Sequence, residues 1–230
     1  MKNLCFVFLF VISYQCAFSQ DIETKAIDSL YKEDHFYVGI TYNLIGNIPS
    51  KVSQSGFSTG FHLGYIKDMP INKNRNVAVG IGIGYSANSF NQNLLVNKDA
   101  SGHFEYRILS DKSTYTKNKL SMHLVELPIE FRWRTSTPTD YNFWRIYTGF
   151  KLGYLFTHTT KHIGDLGTLK YNDVSHFNNF QYGLTLSAGY GTWNLHLYYA
   201  LNSIFSNEAT IDGNKIDMNA IKVGLMFYIL

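Results

Sequence analysis

Residues 77–87 have the sequence VAVGIGIGYSA, in which two classes of side chain alternate strictly. The odd positions carry mostly bulky apolar residues, and the even positions carry small ones: Ala78, Gly80, Gly82, Gly84 and Ser86. A period of two is the signature of a β-strand whose faces meet different surroundings. One face of this strand is therefore expected to meet an apolar medium, while the other leaves room for neighbouring side chains.

The same alternation recurs in other segments of the chain. Apolar faces begin at Phe36, Phe57, Val125, Trp144, Phe180, Trp193 and Ile221. The opposite faces are small or charged, and the apolar faces carry Tyr and Trp at strand ends, as membrane girdles do. The pattern predicts an all-β fold, namely an eight-stranded antiparallel up-and-down transmembrane β-barrel with a filled polar lumen. A secreted β-sandwich is the alternative, because its strands also alternate.

The connections between these segments alternate in length. Short connections are predicted at 69–75, 135–141 and 191–193, and longer ones at 47–55, 91–118, 159–179 and 203–218. Outer-membrane barrels have short periplasmic turns and long external loops. We therefore expect one barrel domain over residues 35–230, with both of its ends on the periplasmic side.

Composition excludes several classes of protein. The chain has 20 Lys and Arg against 17 Asp and Glu, a net charge of +3, and no basic block, which argues against nucleic-acid binding. Charged residues make up 16% of the chain, below the roughly 25% of soluble domains. Aromatic residues also make up 16%, which excludes a disordered chain.

The N-terminus has the features of a secretory signal peptide over residues 1–19. Lys2 precedes a short apolar stretch at 4–12, and Ala17-Phe18-Ser19 offers a cleavage site. Lipid attachment at Cys16 is the weaker alternative. Cleavage after Ser19 removes both cysteines, so we expect neither a disulfide nor a thiolate metal site. Residues 20–34 are predicted to form a periplasmic lead-in to a barrel in the cell outer membrane.

Residues 124–132, LVELPIEFR, resemble the E-[ILV]-P-[ILV] strand of PorT-like outer-membrane β-barrel proteins. The motif falls on Glu126, Leu127, Pro128 and Ile129. The glycine strand before it and the closing segment 221–229 are also similar to strands of that family. One departure is the C-terminus, since many outer-membrane barrels end on an aromatic residue and this chain ends on Leu230.

The resemblance implies a non-enzymatic outer-membrane barrel with a structural or interaction role. The namesake of the family belongs to the type IX secretion and gliding apparatus of Bacteroidota, so the resemblance also suggests an accessory role in protein secretion. The partners that it implies are outer-membrane lipid and lipopolysaccharide, the barrel-assembly machinery and secretion-system proteins.

Charged residues on the predicted inner faces form the candidate site. They are Glu126, Glu130, Arg132, Arg145 and Lys151. Buried charges inside a narrow barrel are kept paired, so we interpret them as a structural ion-pair network. The alternative is the charged gate of a small channel or porin, although the interior of an eight-stranded barrel is just wide enough for its own side chains.

We predict no catalytic residue, cofactor or metal. Ser121 and His123 share a strand face, as a lipid-modifying enzyme would need, but no carboxylate is recognisably placed beside them. His158 and His162 are interpreted as solvated histidines at the rim rather than as metal ligands. The glycines of the 77–87 stretch do not lead into a helix, which excludes a phosphate-binding loop.

The long segment 91–118 is the most chemically varied connection, with Lys98, His103, Glu105, Arg107 and Asp111 among its residues. Exposed loops carry binding functions more often than barrel walls do. The segment is therefore a candidate surface for a partner or for lipopolysaccharide. The alternative is a hydrophilic loop without a ligand.

Overall fold

A computed structural model describes residues 34–135, 143–172 and 174–229. The predicted signal peptide and nearly all of the lead-in lie outside the described residues. A short 3-10 helix at Lys112–Thr114 accompanies the strands, and no described helix is long and apolar enough to cross a membrane. The described strands are β1 (His35–Gly46), β2 (Thr59–Pro70), β3 (Val77–Asn91), β4 (Leu94–Lys98), β5 (Phe104–Ile108), β6 (Tyr115–Arg134), β7 (Trp144–Gly164), β8 (Gly167–Asn172), β9 (Phe180–Tyr190), β10 (Trp193–Ala200), β11 (Thr210–Ile211), β12 (Asn214–Lys215) and β13 (Asn219–Ile229).

Eight of these strands form a closed antiparallel barrel, which confirms the predicted fold. Their order around the barrel is β1-β2-β3-β6-β7-β9-β10-β13, and β13 pairs back onto β1. The ladder between β6 and β7 is the longest, running from Tyr115 opposite Gly164 to Arg134 opposite Arg145. Closure leaves no unpaired strand edge in the wall, as the interior of a membrane requires.

The outer wall of the barrel is apolar and bordered by aromatic rings. Large apolar side chains on every wall strand point outward, including Phe36 (62% exposed) and Leu195 (67% exposed). Aromatic pairs stand at the end with the short turns, where Trp144 lies 5.4 Å from Tyr190 between ring centroids. Aromatic pairs at the opposite end are Tyr42–Phe57 and Tyr154–Phe180. This arrangement is typical of a membrane-embedded belt with aromatic girdles.

The glycines of β3 lie on the inner face, where larger side chains need their space. A Cβ atom at Gly80 would lie 2.8 Å from Cδ of Arg132, and one at Gly84 would overlap the hydroxyl of Tyr37. These positions therefore accept no side chain without a shift of their neighbours. The small residues of the quoted stretch are what allow long polar side chains to fill a narrow lumen.

Strands β6 and β7 continue beyond the membrane belt, and their polarity reverses there. From Val125 to Arg134, toward the short-turn end, the apolar residues of β6 point outward. On the other side of Leu124, toward the long loops, Leu120 and Met122 are buried inside and Ser121 points outward. The register of β7 also shifts opposite His123 and Leu124, so that the inward positions of β7 change parity at this bulge. The reversal marks the level at which the wall leaves the apolar belt.

The long connections at this end are more structured than predicted. The segment 91–118 contains the β4–β5 hairpin and the start of β6, and the segment 159–179 contains the end of β7 and all of β8. The prediction of plain loops is wrong there. Its cause is the polarity reversal, because polar residues on the outer face interrupt the alternation that marks a membrane strand.

The loops fold over the mouth of the barrel, and we call these folded loops, together with the apolar core beneath them, the cap. The rings of Phe177 and Phe205 pack with their centroids 4.6 Å apart, and the ring centroid of Tyr106 lies 5.7 Å from that of Phe205. The buried members of the cap are Ile45, Val52, Phe90, Leu94, Val96, Leu120, Met122, Leu124, Leu155, Val174, Phe177, Tyr198, Ala200, Ile204, Phe205, Ala209, Ile216, Met218 and Ala220. The lumen is therefore polar in its lower part and covered by apolar packing at the loop end.

We expect the folded barrel to resist sodium dodecyl sulfate until it is heated, because closed ladders unfold cooperatively. Unboiled and boiled samples of the purified protein should then migrate at different positions in gel electrophoresis. The variant Thr185→Pro, in the middle of β9, would lose a ladder hydrogen bond. Its folded band should therefore disappear at a lower temperature than the folded band of wild type. Identical mobility of boiled and unboiled wild-type protein would contradict the closed barrel.

Candidate functional site

The lumen near the short-turn end is organised around Asp68 of β2. Its Oδ1 atom accepts a hydrogen bond from Arg132 Nη1 at 2.9 Å, and its Oδ2 atom accepts one from Arg134 Nη1 at 2.8 Å. All three side chains are fully buried. The guanidinium of Arg132 also lies 4.2 Å from the ring centroid of Tyr147 and 3.0 Å from Nδ1 of His35. One carboxylate thus ties β2 to β6 through two arginines.

Glu130 joins this group from the side. Its Oε2 atom lies 3.5 Å from Nε of Arg132, and its side chain is buried. Glycines stand opposite Glu130 on both neighbouring strands, Gly80 on β3 and Gly149 on β7. The predicted pair of Glu130 and Arg132 is therefore brought together, with Asp68 as an additional member.

A second group surrounds Glu126, farther toward the cap. The Oε2 atom of Glu126 lies 3.0 Å from Nζ of Lys151 on β7, and its Oε1 atom lies 3.8 Å from Nζ of Lys222 on β13. Oε1 also accepts a hydrogen bond from the hydroxyl of Ser86 at 2.7 Å. Nδ1 of His62 lies 3.8 Å from Oε2. Glu126 is thus the centre of contacts that cross the lumen between β2, β3, β6, β7 and β13.

Arg145 is placed apart from the other predicted residues. It is buried, but no described carboxylate lies within 4 Å of its guanidinium. Its guanidinium carbon instead lies 4.4 Å from the ring centroid of Phe143 and 5.9 Å from that of Tyr228. The structure therefore divides the five predicted residues into the Glu126–Lys151 pair, the Glu130–Arg132 pair and Arg145 on aromatic rings.

The segment Glu126, Leu127, Pro128 and Ile129 has two roles along β6. Leu127 and Ile129 point outward into the apolar belt, whereas Glu126 and Pro128 point inward. Pairing between β6 and β3 is interrupted beside Pro128, because proline has no amide hydrogen for the ladder. Pairing with β7 runs through Pro128 without a break. The motif therefore combines a wall segment with the central carboxylate of the lumen.

Buried ion pairs of this kind hold neighbouring strands together. Removing charges from water costs several kcal/mol per ion, which close pairing and hydrogen bonds offset. Removing one partner therefore destabilises the fold by more than the intact pair stabilises it. The arrangement can fix the positions of the strands around the lumen, and it leaves little space for a solute.

The other predicted candidates lie outside the lumen groups. Nδ1 of His123 lies 2.7 Å from the hydroxyl of Tyr85 on the outer wall, and no described hydrogen bond joins His123 to Ser121. His158 and His162 are buried beneath the cap, so their interpretation as solvated rim histidines is wrong. The bulge in β7 turns them inward, where the ring centroid of His158 lies 4.2 Å from that of Phe177. Within the described ranges no three His, Cys, Asp or Glu residues are grouped to hold a metal ion.

Sequence reasoning missed the inner face of β2. The residues that alternate with its apolar face are His62, Gly64, Ile66 and Asp68, and both polar ones are fully buried. His196 of β10 is likewise buried, and a hydrogen bond of 2.7 Å joins its Nδ1 atom to the hydroxyl of Ser187. The alternation of β2 placed these residues inside, but the mixture of histidine, glycine and isoleucine gave no recognisable motif.

Outside the membrane, loop carboxylates stabilise tight turns. Backbone amides of His103 and Ser101 donate hydrogen bonds to Asp99 at 2.9 and 2.8 Å, and these bonds hold the pKa of Asp99 below its usual range. The amide of Ser113 does the same for the pKa of Asp111. These aspartates are therefore ionised structural parts of the cap surface.

Replacing Glu126 should show what the central carboxylate contributes. We expect Glu126→Gln to leave Lys151 and Lys222 buried without their countercharge, at a cost of about 3–5 kcal/mol. The unfolding temperature in detergent should fall by roughly 10 °C. A second replacement, Lys151→Met, should restore part of the loss, and Glu105→Gln on the cap surface serves as the control. An unfolding temperature of Glu126→Gln equal to that of wild type would contradict the cross-lumen role.

A family model and two solved structures are similar to this chain. The family model of the outer membrane protein beta-barrel domain matches residues 18–206. Among solved structures, the attachment invasion locus protein Ail of Yersinia pestis is 12% identical, with a TM-score of 0.35 over 86% of this chain and 99% of that chain. A chain described under "Asymmetric conductivity of engineered proteins" is 10% identical, with a TM-score of 0.22 over 86% of this chain and 100% of that chain. No curated protein matches the chain. The match to the family model over most of the chain shows that it belongs to the outer-membrane protein β-barrel domain family, and that its place is the outer membrane.

Proposed function

We propose that this chain is a non-enzymatic outer-membrane protein that uses its barrel as a rigid support for an external interaction surface. The observation that carries the proposal is the cap. Flexible loops need no apolar core, yet here Phe177, Phe205 and Ile216 are almost fully buried in a core that the loops share with the upper ends of the wall strands. A core of this kind fixes the shape of the surface above it, as a binding surface requires.

The proposed orientation places the cap outside the cell. Connections at the end with residue 34 are short, with 71–76 and 191–192 joining wall strands, whereas the cap connections run from 12 residues upward at 47–58. Short turns face the periplasm in outer-membrane barrels, and longer loops face outward. The cap surface would then meet outer-leaflet lipid, lipopolysaccharide and external proteins.

We further propose that the chain is of the PorT-like type and acts as an accessory of type IX protein secretion. The support for this is the motif at Glu126, Leu127, Pro128 and Ile129, whose glutamate is also the centre of the lumen contacts. Partners in that role are secretion-system proteins, after insertion of the chain by the barrel-assembly machinery.

The two alternative functions have less support from the geometry. A channel or porin would need a continuous path, whereas buried ion pairs fill the lower lumen and apolar packing covers its mouth. A lipid-modifying enzyme would need an activated nucleophile, whereas Nδ1 of His123 is engaged with Tyr85 and contacts no described carboxylate. Neither alternative is favoured by a specific contact.

Labelling on intact cells tests the proposed orientation. A single cysteine at Asp212, in the exposed turn between β11 and β12, should react with a membrane-impermeant maleimide. A cysteine at Lys73, in the turn between β2 and β3, should react only after the outer membrane is opened. The opposite pattern of labelling would overturn the orientation.

Comparison of secreted proteins tests the secretion role. Deletion of the gene should remove a set of proteins from the culture supernatant while the outer membrane stays intact, as judged by retention of a periplasmic marker enzyme. Expression of the wild-type chain should restore the set. An unchanged set of secreted proteins would contradict the secretion role and would leave the barrel and its orientation unaffected.

A further inference from the structure

Three lysines stand side by side on the outer face of the wall extension. Lys119 of β6 is the direct partner of Lys161 on β7, and Lys161 is the direct partner of Lys170 on β8. Directly paired residues of an antiparallel ladder project from the same face. Their chain neighbours Leu120, Thr160 and His162 are buried on the inner face, so the lysines point outward. We call this set the lysine row.

The lysine row lowers the stability of the isolated protein. Like charges directly opposite each other destabilise a ladder. Among the described residues, none of the three lysines forms an ion pair, and the ion pairs of the cap surface are His103–Asp99 and His176–Glu208. The row is thus a concentration of positive charge without a countercharge from the described chain.

A second row of small polar residues lies next to it on the same face. Ser89 of β3 is the partner of Ser121, Ser121 is the partner of Thr159, and Thr159 is the partner of Asn172. The hydroxyl of Thr159 donates a hydrogen bond to Oδ1 of Asn172 at 2.9 Å. Hydroxyl and amide groups beside cations are suited to phosphate oxygens and to sugar hydroxyls.

An apolar groove leads from these rows down the outer wall. It has a volume of about 520 Å³ and reaches Lys119, Ser121 and His123 at one end. Its apolar lining includes Ile40, Phe61 and Ala87, which lie on the outward faces of β1, β2 and β3. The polarity of β6 reverses at Leu124, so the groove crosses from the apolar belt to the polar extension. It therefore presents an apolar channel below a cationic, hydroxyl-lined surface.

We propose that the lysine row binds the phosphate groups of lipopolysaccharide, with one acyl chain lying in the groove. The occupant is an anionic glycolipid because the site combines uncompensated positive charge, hydrogen-bonding groups for a sugar, and an apolar groove in contact with the membrane. A soluble polyanion would use the charge and leave the groove empty. The proposal rests on the orientation given under Proposed function, since lipopolysaccharide occupies the outer leaflet.

Binding of lipid A to the full chain in nanodiscs tests the proposal. The probe is bisphosphorylated lipid A added to phosphatidylethanolamine nanodiscs, with dephosphorylated lipid A as the comparison. The triple variant Lys119→Gln, Lys161→Gln, Lys170→Gln should bind bisphosphorylated lipid A roughly 100-fold more weakly, since each lysine near a charged membrane surface contributes about 1 kcal/mol. The control Lys67→Gln, Lys73→Gln, Lys215→Gln loses the same charge elsewhere and should bind as wild type does.

The unfolding temperature separates loss of binding from loss of folding. Without lipid A, the lysine-row variant should unfold at or above the temperature of wild type, because the repulsion between lysines is gone. Bisphosphorylated lipid A should raise the unfolding temperature of wild type and leave that of the variant unchanged.

Several results would overturn the proposal. Equal binding of lipid A by variant and wild type, or equal affinity of wild type for dephosphorylated lipid A, would remove the role of the lysines. Two results together would assign the row to a soluble polyanion. Heparin would displace lipid A completely, and the Phe61→Ala variant would bind heparin as tightly as wild type does. A reversed pattern in the cysteine labelling would instead refute the orientation, so the two failures are distinguishable.

Discussion

The hydrogen bonds between β6 and β7 join the two halves of the sheet into a closed wall, and the other features depend on that closure. A strand edge inside a bilayer would leave backbone amides and carbonyls without partners, at a cost of several kcal/mol each. Closing the sheet satisfies all of them, but it also fixes the width of the lumen. Every wall residue must then suit either lipid or a narrow interior.

The narrow interior explains the pairing of glycines with long charged side chains. Gly80 lies beside Arg132, and Gly149 lies opposite Glu130, so that ions from different strands meet across the lumen. Asp68 and Glu126 are the two carboxylates around which these contacts are arranged. Above them the loops and the upper ends of the wall strands form an apolar core, and the polarity of the wall reverses. The result is a filled cylinder whose chemistry toward other molecules lies on its outer surface and on the cap.

The sequence was sufficient to predict the membrane wall, because the two sides of that wall differ sharply in polarity. Residues such as Ile83 and Leu195 point outward as predicted, and Glu126 points inward. It was insufficient above the membrane, where β7 carries a bulge opposite His123 and Leu124. One extra residue changes which positions face inward, so His158 and His162 became buried instead of solvated.

The candidate site was predictable only in part for a related reason. Charges on β6 and β7 stand in clear alternation, whereas Asp68 follows Gly64 and Ile66 on a face of mixed polarity. The partners of a buried ion come from strands distant in the chain, and alternation along one strand does not identify them. The lysine row depends on register across three strands, which no single segment of sequence contains.

Amide hydrogen exchange of the protein in lipid nanodiscs tests the central claim of closure most directly. The account predicts slow exchange for the membrane-level amides of all eight wall strands, with β6 and β7 as well protected as β1 and β2. Fast exchange along the facing edges of β6 and β7, with protection elsewhere, would show an open sheet and would contradict the account.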